Sequence, residues 1–165
     1  MISKNEFQKI IEEHQQAVLR LAFFLTKNQA EAKDLTQDVF IKVWEKWDSL
    51  GDVTRTLPWI LKICRNQFLD NKRHRKYEDS FAKESLAESR HTLPASFEVW
   101  SCLLKLEEEE RLLLLLVDHQ GLSYSETASV LKISEANAKS KIHRARQEFV
   151  KIWEEAATLP KPRAS

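Results

Sequence analysis

Residues 121–149 read GLSYSETASVLKISEANAKSKIHRARQEF, and the fold is decided there. Gly121 ends a preceding helix, since a residue without a Cβ tolerates the left-handed conformation that closes helices. Ser123 with Glu126 three residues later is a capping box, in which hydroxyl and carboxylate each take an otherwise unpaired amide, and it predicts a short helix reaching Leu131. Lys132-Ile133 turns the chain, and Ser134 caps a longer helix running to about Trp153. On that helix Ala138, Ile142, Ala145 and Phe149 recur at three- and four-residue spacing and form the inward face. Lys139, Ser140, His143 and Arg144 therefore point outward together. A short capped helix, a tight turn and a longer basic helix are the grammar of a helix-turn-helix, whose second helix enters the major groove of DNA, where Lys and Arg donate to guanine and Ser bonds base edges or phosphates.

Upstream, Phe97, Trp100, Leu103 and Leu104 keep helical spacing, and Glu107 to Val117 predicts another helix whose acidic start suits the helix dipole. From Tyr77 to about Pro94 the chain turns polar and loses period, the mark of a linker. Before it, three helices are predicted. The first is capped by Ser3 and Glu6 and carries Phe7, Ile10, Ile11, Val18, Leu21, Ala22 and Leu25. The second is capped by Asn28 and Glu31 and carries Leu35, Val39, Val43, Trp44 and Trp47 up to a break at Gly51. The third starts around Thr56 to Pro58 and buries Ile60, Leu61, Cys64 and Phe68. The expected fold is all-α, two small helical domains on a flexible linker: residues 1–76, linker 77–94, residues 95–156 and a tail 157–165.

The chain has 165 residues, of which 42% are hydrophobic and 31% charged, and only 2 are Gly. That composition excludes a disordered tail, and scarce glycine argues against turn-dense β architectures. The longest apolar run, Leu112 to Val117, is far short of the roughly 20 residues needed to span a bilayer, so no membrane insertion is expected. With no basic start followed by an apolar segment, a cytoplasmic location is expected. Cys64 and Cys102 lack partners at metal-type spacing and read as buried hydrophobes. His143 has no Cys or His three or four residues away, so no metal site is expected. No acid–base pair, nucleophile constellation or phosphate-binding glycine loop appears, so neither an enzyme nor a cofactor is expected.

The formal net charge of +1 conceals its arrangement. Between Arg55 and Lys76 seven cations face only Asp70, a net of +6, and between Lys139 and Lys151 five face only Glu148, a net of +4. The segment Glu31 to Asp52 instead carries six acids against three lysines, which repels phosphate and suits a basic protein partner. In the first stripe Trp59, Phe68 and Tyr77 are interleaved with cations, a texture suited to unpaired bases. Phe68 reads better as core; Trp59 suits either role.

These residues resemble the bacterial RNA polymerase sigma factors, specifically the small extracytoplasmic-function (ECF) group that keeps only regions 2 and 4. Asp34-Leu35-Thr36-Gln37-Asp38-Val39-Phe40 followed by Trp44 is similar to the segment through which region 2 grips the β′ clamp helices of core polymerase. The resemblance thereby implies Asp34, Leu35, Gln37, Asp38, Phe40 and Trp44 as polymerase-binding. Trp59 to Asn66, with Asp70 and Arg73, resembles the part that melts and holds the −10 promoter element, which implies Arg55, Trp59, Lys62, Arg65, Asn66 and Arg73, with the loop Ser49 to Thr56, as −10 contacts. Gly121 to Glu126 leading into Lys139 to Arg146 resembles the region 4 reader of the −35 element, implying Ser123, Tyr124, Lys139, Ser140, Lys141, His143, Arg144 and Arg146. The leucines Leu112 to Leu116 read as domain packing, with the polymerase β flap as a further contact implied by the family. An anti-sigma protein is a partner common in the family. The chain departs from the family pattern at Ala136-Asn137-Ala138, where Gly-Thr-Val is usual, at Thr127 in place of Ile, and at Lys141 in place of Arg, which loses a forked contact. A stand-alone helix-turn-helix regulator is the alternative, but it leaves the Asp34 to Trp44 motif without a purpose. A sigma-like interaction protein that has lost promoter recognition is supported only by the altered helix entry.

Overall fold

A computed structural model describes residues 1–51, 55–78 and 97–158, and every regular element among them is helical. Residues 52–54 of the loop 49–56, 79–94 of the expected linker and 159–165 of the tail lie outside the described residues, and the third helix runs to Glu78, two residues into the expected linker. The chain divides into two compact units, one built on α1 (Lys4–Thr26), α2 (Gln29–Lys46) and α3 (Thr56–Glu78), the other on α4 (Phe97–Leu104), α5 (Glu108–Leu114), the first five residues of α6 (Tyr124–Leu131) and α7 (Glu135–Thr158). Among the described residues no helix is long and apolar enough to cross a membrane.

In the first unit each helix packs on the other two. Val18, Leu21 and Ala22 of α1, Leu35, Val39 and Val43 of α2, and Ile60, Leu61 and Cys64 of α3 are buried. Burial pushes the Cys64 thiol up to about 12, so it stays a neutral packing group. At the start of α1 the reciprocal box forms: Ser3 Oγ accepts the Glu6 N–H at 3.2 Å and the Glu6 carboxylate accepts the Ser3 N–H at 3.0 Å. At α2 only half of the expected box is made. Asn28 Oδ1 accepts the Glu31 N–H at 3.0 Å, but the Glu31 carboxylate pairs with Arg75 at 2.9 Å, tying the far end of α3 to the start of α2.

In the second unit α4 and α5 pack against α7 around Cys102, Leu106, Leu114, Ala145 and Ile152. The predicted helix Glu107 to Val117 splits into α5 and a π turn, Leu115–His119, closed by Gln120 N–H donating to Leu115 O at 2.8 Å. Gly121 follows at φ 71°, and Leu122 N–H reaches back to Leu116 O at 2.9 Å, a seven-to-one bond one residue wider than the six-to-one bond of a Schellman closure, because the helix ends in π winding. Leu113 to Leu116 are at most 8% exposed, which makes them core and removes them as a flap contact. The Ser123 box closes as expected, and Lys132 makes the turn into α7 at φ 56°. Ser134 Oγ accepts the Asn137 N–H at 3.1 Å, so the atypical Ala136-Asn137-Ala138 entry starts a regular helix. That helix runs to Thr158, past the expected end at Trp153.

Thr127, where the family usually has Ile, is fully buried and its hydroxyl has no hydrogen-bond partner among the described residues. Removing an unsatisfied buried hydroxyl without changing shape is favourable, so Thr127→Val raises stability by about 1 kcal/mol in urea unfolding; a decrease shows that the hydroxyl is bonded. Space around Gly121 is open, so Gly121→Ala costs only the left-handed backbone, about 1 kcal/mol. A neutral Gly121→Ala contradicts the closure described.

Candidate nucleic-acid interface

Of the expected inward stripe of α7, Ala138, Ile142 and Ala145 are fully buried, and Phe149 is half-buried against the core that α7 shares with α4 and α5. With that side sealed, helical geometry leaves Lys139, Ser140, His143 and Arg144 exposed on the opposite face. Among the described residues none of these four has a hydrogen-bond or ion-pair partner, so their donors are available to a ligand.

The other expected −35 contacts are engaged within the domain. Lys141 Nζ donates to Glu109 Oε1 at 2.6 Å. Arg146 makes a forked pair, Nη2 to Asp118 Oδ1 at 2.6 Å and Nε to Asp118 Oδ2 at 3.1 Å, and its Nη1 donates to the Tyr124 hydroxyl at 3.4 Å. The hydrogen bonds to Asp118 and then Tyr124 raise the Arg146 pKa further, so the guanidinium stays charged. Ser123 uses its hydroxyl oxygen to cap α6. Sequence reading missed Glu109 and Asp118 as the partners that occupy these side chains.

On α3, Trp59, Lys62, Asn66 and Arg73 recur at three-, four- and seven-residue intervals and share one helix face. Arg65, one turn after buried Leu61, lies at the edge of that face: it is half-buried, its Nη1 and the Oδ1 of Asn66 are sealed from solvent without a hydrogen-bond partner among the described residues, and the lost solvation lowers the Arg65 pKa. Trp59 is half-buried and meets Trp47 edge to face, ring centroids 6.3 Å apart at 77°. Trp47 sits in a 3-10 turn, Trp47–Ser49, directly after α2 and was not among the expected contacts. Arg55 precedes α3 and is exposed; Arg73 is exposed, with Asp70 4.0 Å away. Phe68 is half-buried beneath the Lys72 ammonium, 5.9 Å from its ring centroid.

α2 is two-sided. Asp34, Gln37, Asp38 and Trp44 are exposed as expected, whereas Leu35 is only 3% exposed. Leu35 is therefore a core residue, because its helical position faces α1 and α3 with Val39 and Val43. Between α1 and α2 runs an apolar groove of about 460 Å³ lined by Phe7, Ile11, Thr36, Phe40, Ile41 and Trp44 among others. Phe40 is buried and forms its floor; Trp44 stands edge-on to Phe7 at 4.8 Å. Ile41, 57% exposed, and Trp44, 40% exposed, leave apolar surface in water beside the carboxylates of Asp34 and Asp38. The sequence reading places Phe7 and Ile11 on the apolar face of the first helix and does not single out Ile41, so their part in the groove escapes it, since a motif on one helix does not name its neighbour.

Residues 10–77 match the family model Sigma-70 region 2, and residues 96–149 match Sigma-70, region 4. The chain is 32% identical over 132 residues to RNA polymerase sigma factor SigZ of Bacillus subtilis, covering 77% of this chain and 75% of that one. It is 31% identical over 157 residues to ECF RNA polymerase sigma factor SigE of Mycolicibacterium smegmatis, covering 87% of this chain but only 60% of that relative's length. A solved structure of the sigma factor RpoE with the anti-sigma factor NepR from Bartonella quintana is similar at TM-score 0.73 and 25% identity, over 90% of this chain and 96% of that one. With two matched regions in order, an uncommitted basic face on α7 and relatives of this kind, the chain belongs to the sigma-70 family of RNA polymerase sigma factors, in its ECF group.

Proposed function

We propose that this chain binds core RNA polymerase and directs promoter-specific transcription initiation, recognising −10 and −35 elements and helping to open the DNA between them. The observation that carries the reading is the α1–α2 groove, which a stand-alone DNA reader does not need. Exposed Trp44 and Ile41 offer apolar area of the kind that anchors protein interfaces, and Asp34 and Asp38 beside them select a basic partner surface. Core polymerase, through its β′ clamp helices, is the partner proposed for Asp34, Gln37, Asp38, Phe40 and Trp44. The β flap is assigned to the exposed apolar residues of the second unit, Leu104, Val150 and Trp153. An anti-sigma protein is proposed as the regulator, by likeness to RpoE, whose solved structure is a complex with the anti-sigma factor NepR.

In this reading residues 1–76 bind the clamp and the −10 strand, residues 77–94 join the parts, and residues 95–156 hold the −35 duplex. Extruding a base costs a few kcal/mol of unstacking, and stacking on an aromatic returns about 1–3 kcal/mol. The Trp47–Trp59 pair supplies such a surface at the start of α3, and Arg55, Lys62, Arg65, Asn66 and Arg73, spread along that helix, are the side chains proposed for the separated strand. On the −35 duplex Arg144 is the side chain able to fork onto a guanine, with Lys139, Ser140 and His143 alongside.

In transcription reactions with purified core polymerase and a genomic fragment library, the wild-type chain starts transcripts at defined sites, and Asp38→Arg lowers that output by about tenfold or more by reversing a charge at the interface. Full activity of Asp38→Arg removes α2 as the polymerase surface, and transcripts without defined starts remove the reading. Arg144→Ala weakens binding to the preferred −35 sequence by about 1–3 kcal/mol; an unchanged preference across −35 variants ends that assignment.

A further inference from the structure

Arg146 lies on the DNA-reading helix and belongs to its basic stripe, yet its guanidinium, though exposed, is bonded to partners in the same domain. It bridges three elements: α7, which carries it; the π turn, which carries Asp118; and the first residue of α6, Tyr124. Single exposed ion pairs contribute little, but a forked arginine–carboxylate pair fixes two planes relative to each other and adds direction as well as energy. Lys141 provides the contrast within the same helix. It meets Glu109 through one ammonium contact, a bond without a preferred plane that a phosphate oxygen can replace.

We propose that Arg146 is a positioning residue for −35 recognition, which locks α7 to the π turn and to the start of α6 so that Lys139, Ser140, His143 and Arg144 present one fixed pattern to the base edges. Base readout needs its donors held within a fraction of an ångström, whereas attraction to phosphate does not. The π turn belongs to the device. Its wider winding changes the direction in which Asp118 leaves the helix compared with a continued α-helix, and the Gly121 closure that follows sets Tyr124 at the opening of α6. The inference rests on the −35 reading given above and makes a prediction of unusual sign. Asp118→Asn removes a negative charge from a DNA-facing domain, which simple electrostatics expects to strengthen binding. Loss of the lock instead weakens discrimination.

The test uses the full chain with core polymerase. A −35 sequence is first selected by the wild-type holoenzyme from a random duplex library, and affinities for that duplex and for a scrambled one are then measured for wild type, Asp118→Asn, Arg146→Lys and Tyr124→Phe across a salt series. Circular dichroism establishes that each variant is folded. The expected result is a several-fold fall in the ratio of selected to scrambled affinity for Asp118→Asn and Arg146→Lys, and a smaller fall for Tyr124→Phe, with the salt slope of Arg146→Lys unchanged. A variant that merely loses folded protein lowers both affinities together and leaves the ratio intact, and that outcome overturns the inference. So does an Asp118→Asn chain that binds both duplexes more tightly with the ratio unchanged, or an Arg146→Lys chain that keeps wild-type discrimination, as expected of a simple phosphate contact. A wild-type holoenzyme that selects no sequence overturns the −35 reading itself, and the inference with it.

Discussion

Burial of one narrow stripe on α7 governs the second half of the molecule. Ala138, Ile142 and Ala145 are fully buried, and two of the three are small enough to let the neighbouring helices come close. Once that stripe faces inward, the positions of Lys139, Ser140, His143 and Arg144 follow from 3.6 residues per turn, without any further choice by the chain. A helix-turn-helix thus couples packing to recognition: the same register that excludes water from one face presents a fixed set of donors on the other. Ser123, Gly121, Lys132 and Ser134 act by ending and starting helices at the residues that preserve this register.

The first unit solves a different problem with similar means. α1, α2 and α3 bury a shared core, but α2 also keeps an apolar groove and two carboxylates at its surface, while α3 turns cations and Trp59 to one face. These surfaces have opposite preferences. Acids at α2 disfavour phosphate, and the +6 stripe of Arg55 to Lys76 attracts it. In the proposed reading the chain assigns protein and nucleic acid to separate helices, and its net charge of +1 is the sum of those opposed surfaces. On that proposal a factor of this charge has modest attraction to DNA by itself and gains selectivity when polymerase supplies the rest of the interface.

Much of this was legible in the residues because it depends on local spacing. The Ser3–Glu6 and Ser123–Glu126 boxes join residues three apart, and the α7 stripe repeats every three or four, so both can be read without knowing the fold. What escaped depends on tertiary neighbours or on a change of period. Glu31 has the spacing of a capping box, but Arg75 approaches in the folded chain and takes its carboxylate. Leu35 sits inside a surface motif yet faces the core, since a motif lists consecutive residues while a helix sends them to different sides. Asp118 is hidden twice: the π turn breaks the 3.6-residue period around it, and its partner Arg146 is 28 residues away. The α1–α2 groove is likewise a property of two helices, visible only once Phe7 and Ile11 are placed beside Phe40 and Trp44.

The division of labour between α2 and the two basic helices is tested most directly by the affinity of this chain for one promoter fragment, measured alone and with core polymerase at the same salt concentration. The account predicts weak binding alone, governed by salt and nearly indifferent to sequence, and tight, sequence-selective binding once polymerase is present. Equal selectivity with and without polymerase would contradict it.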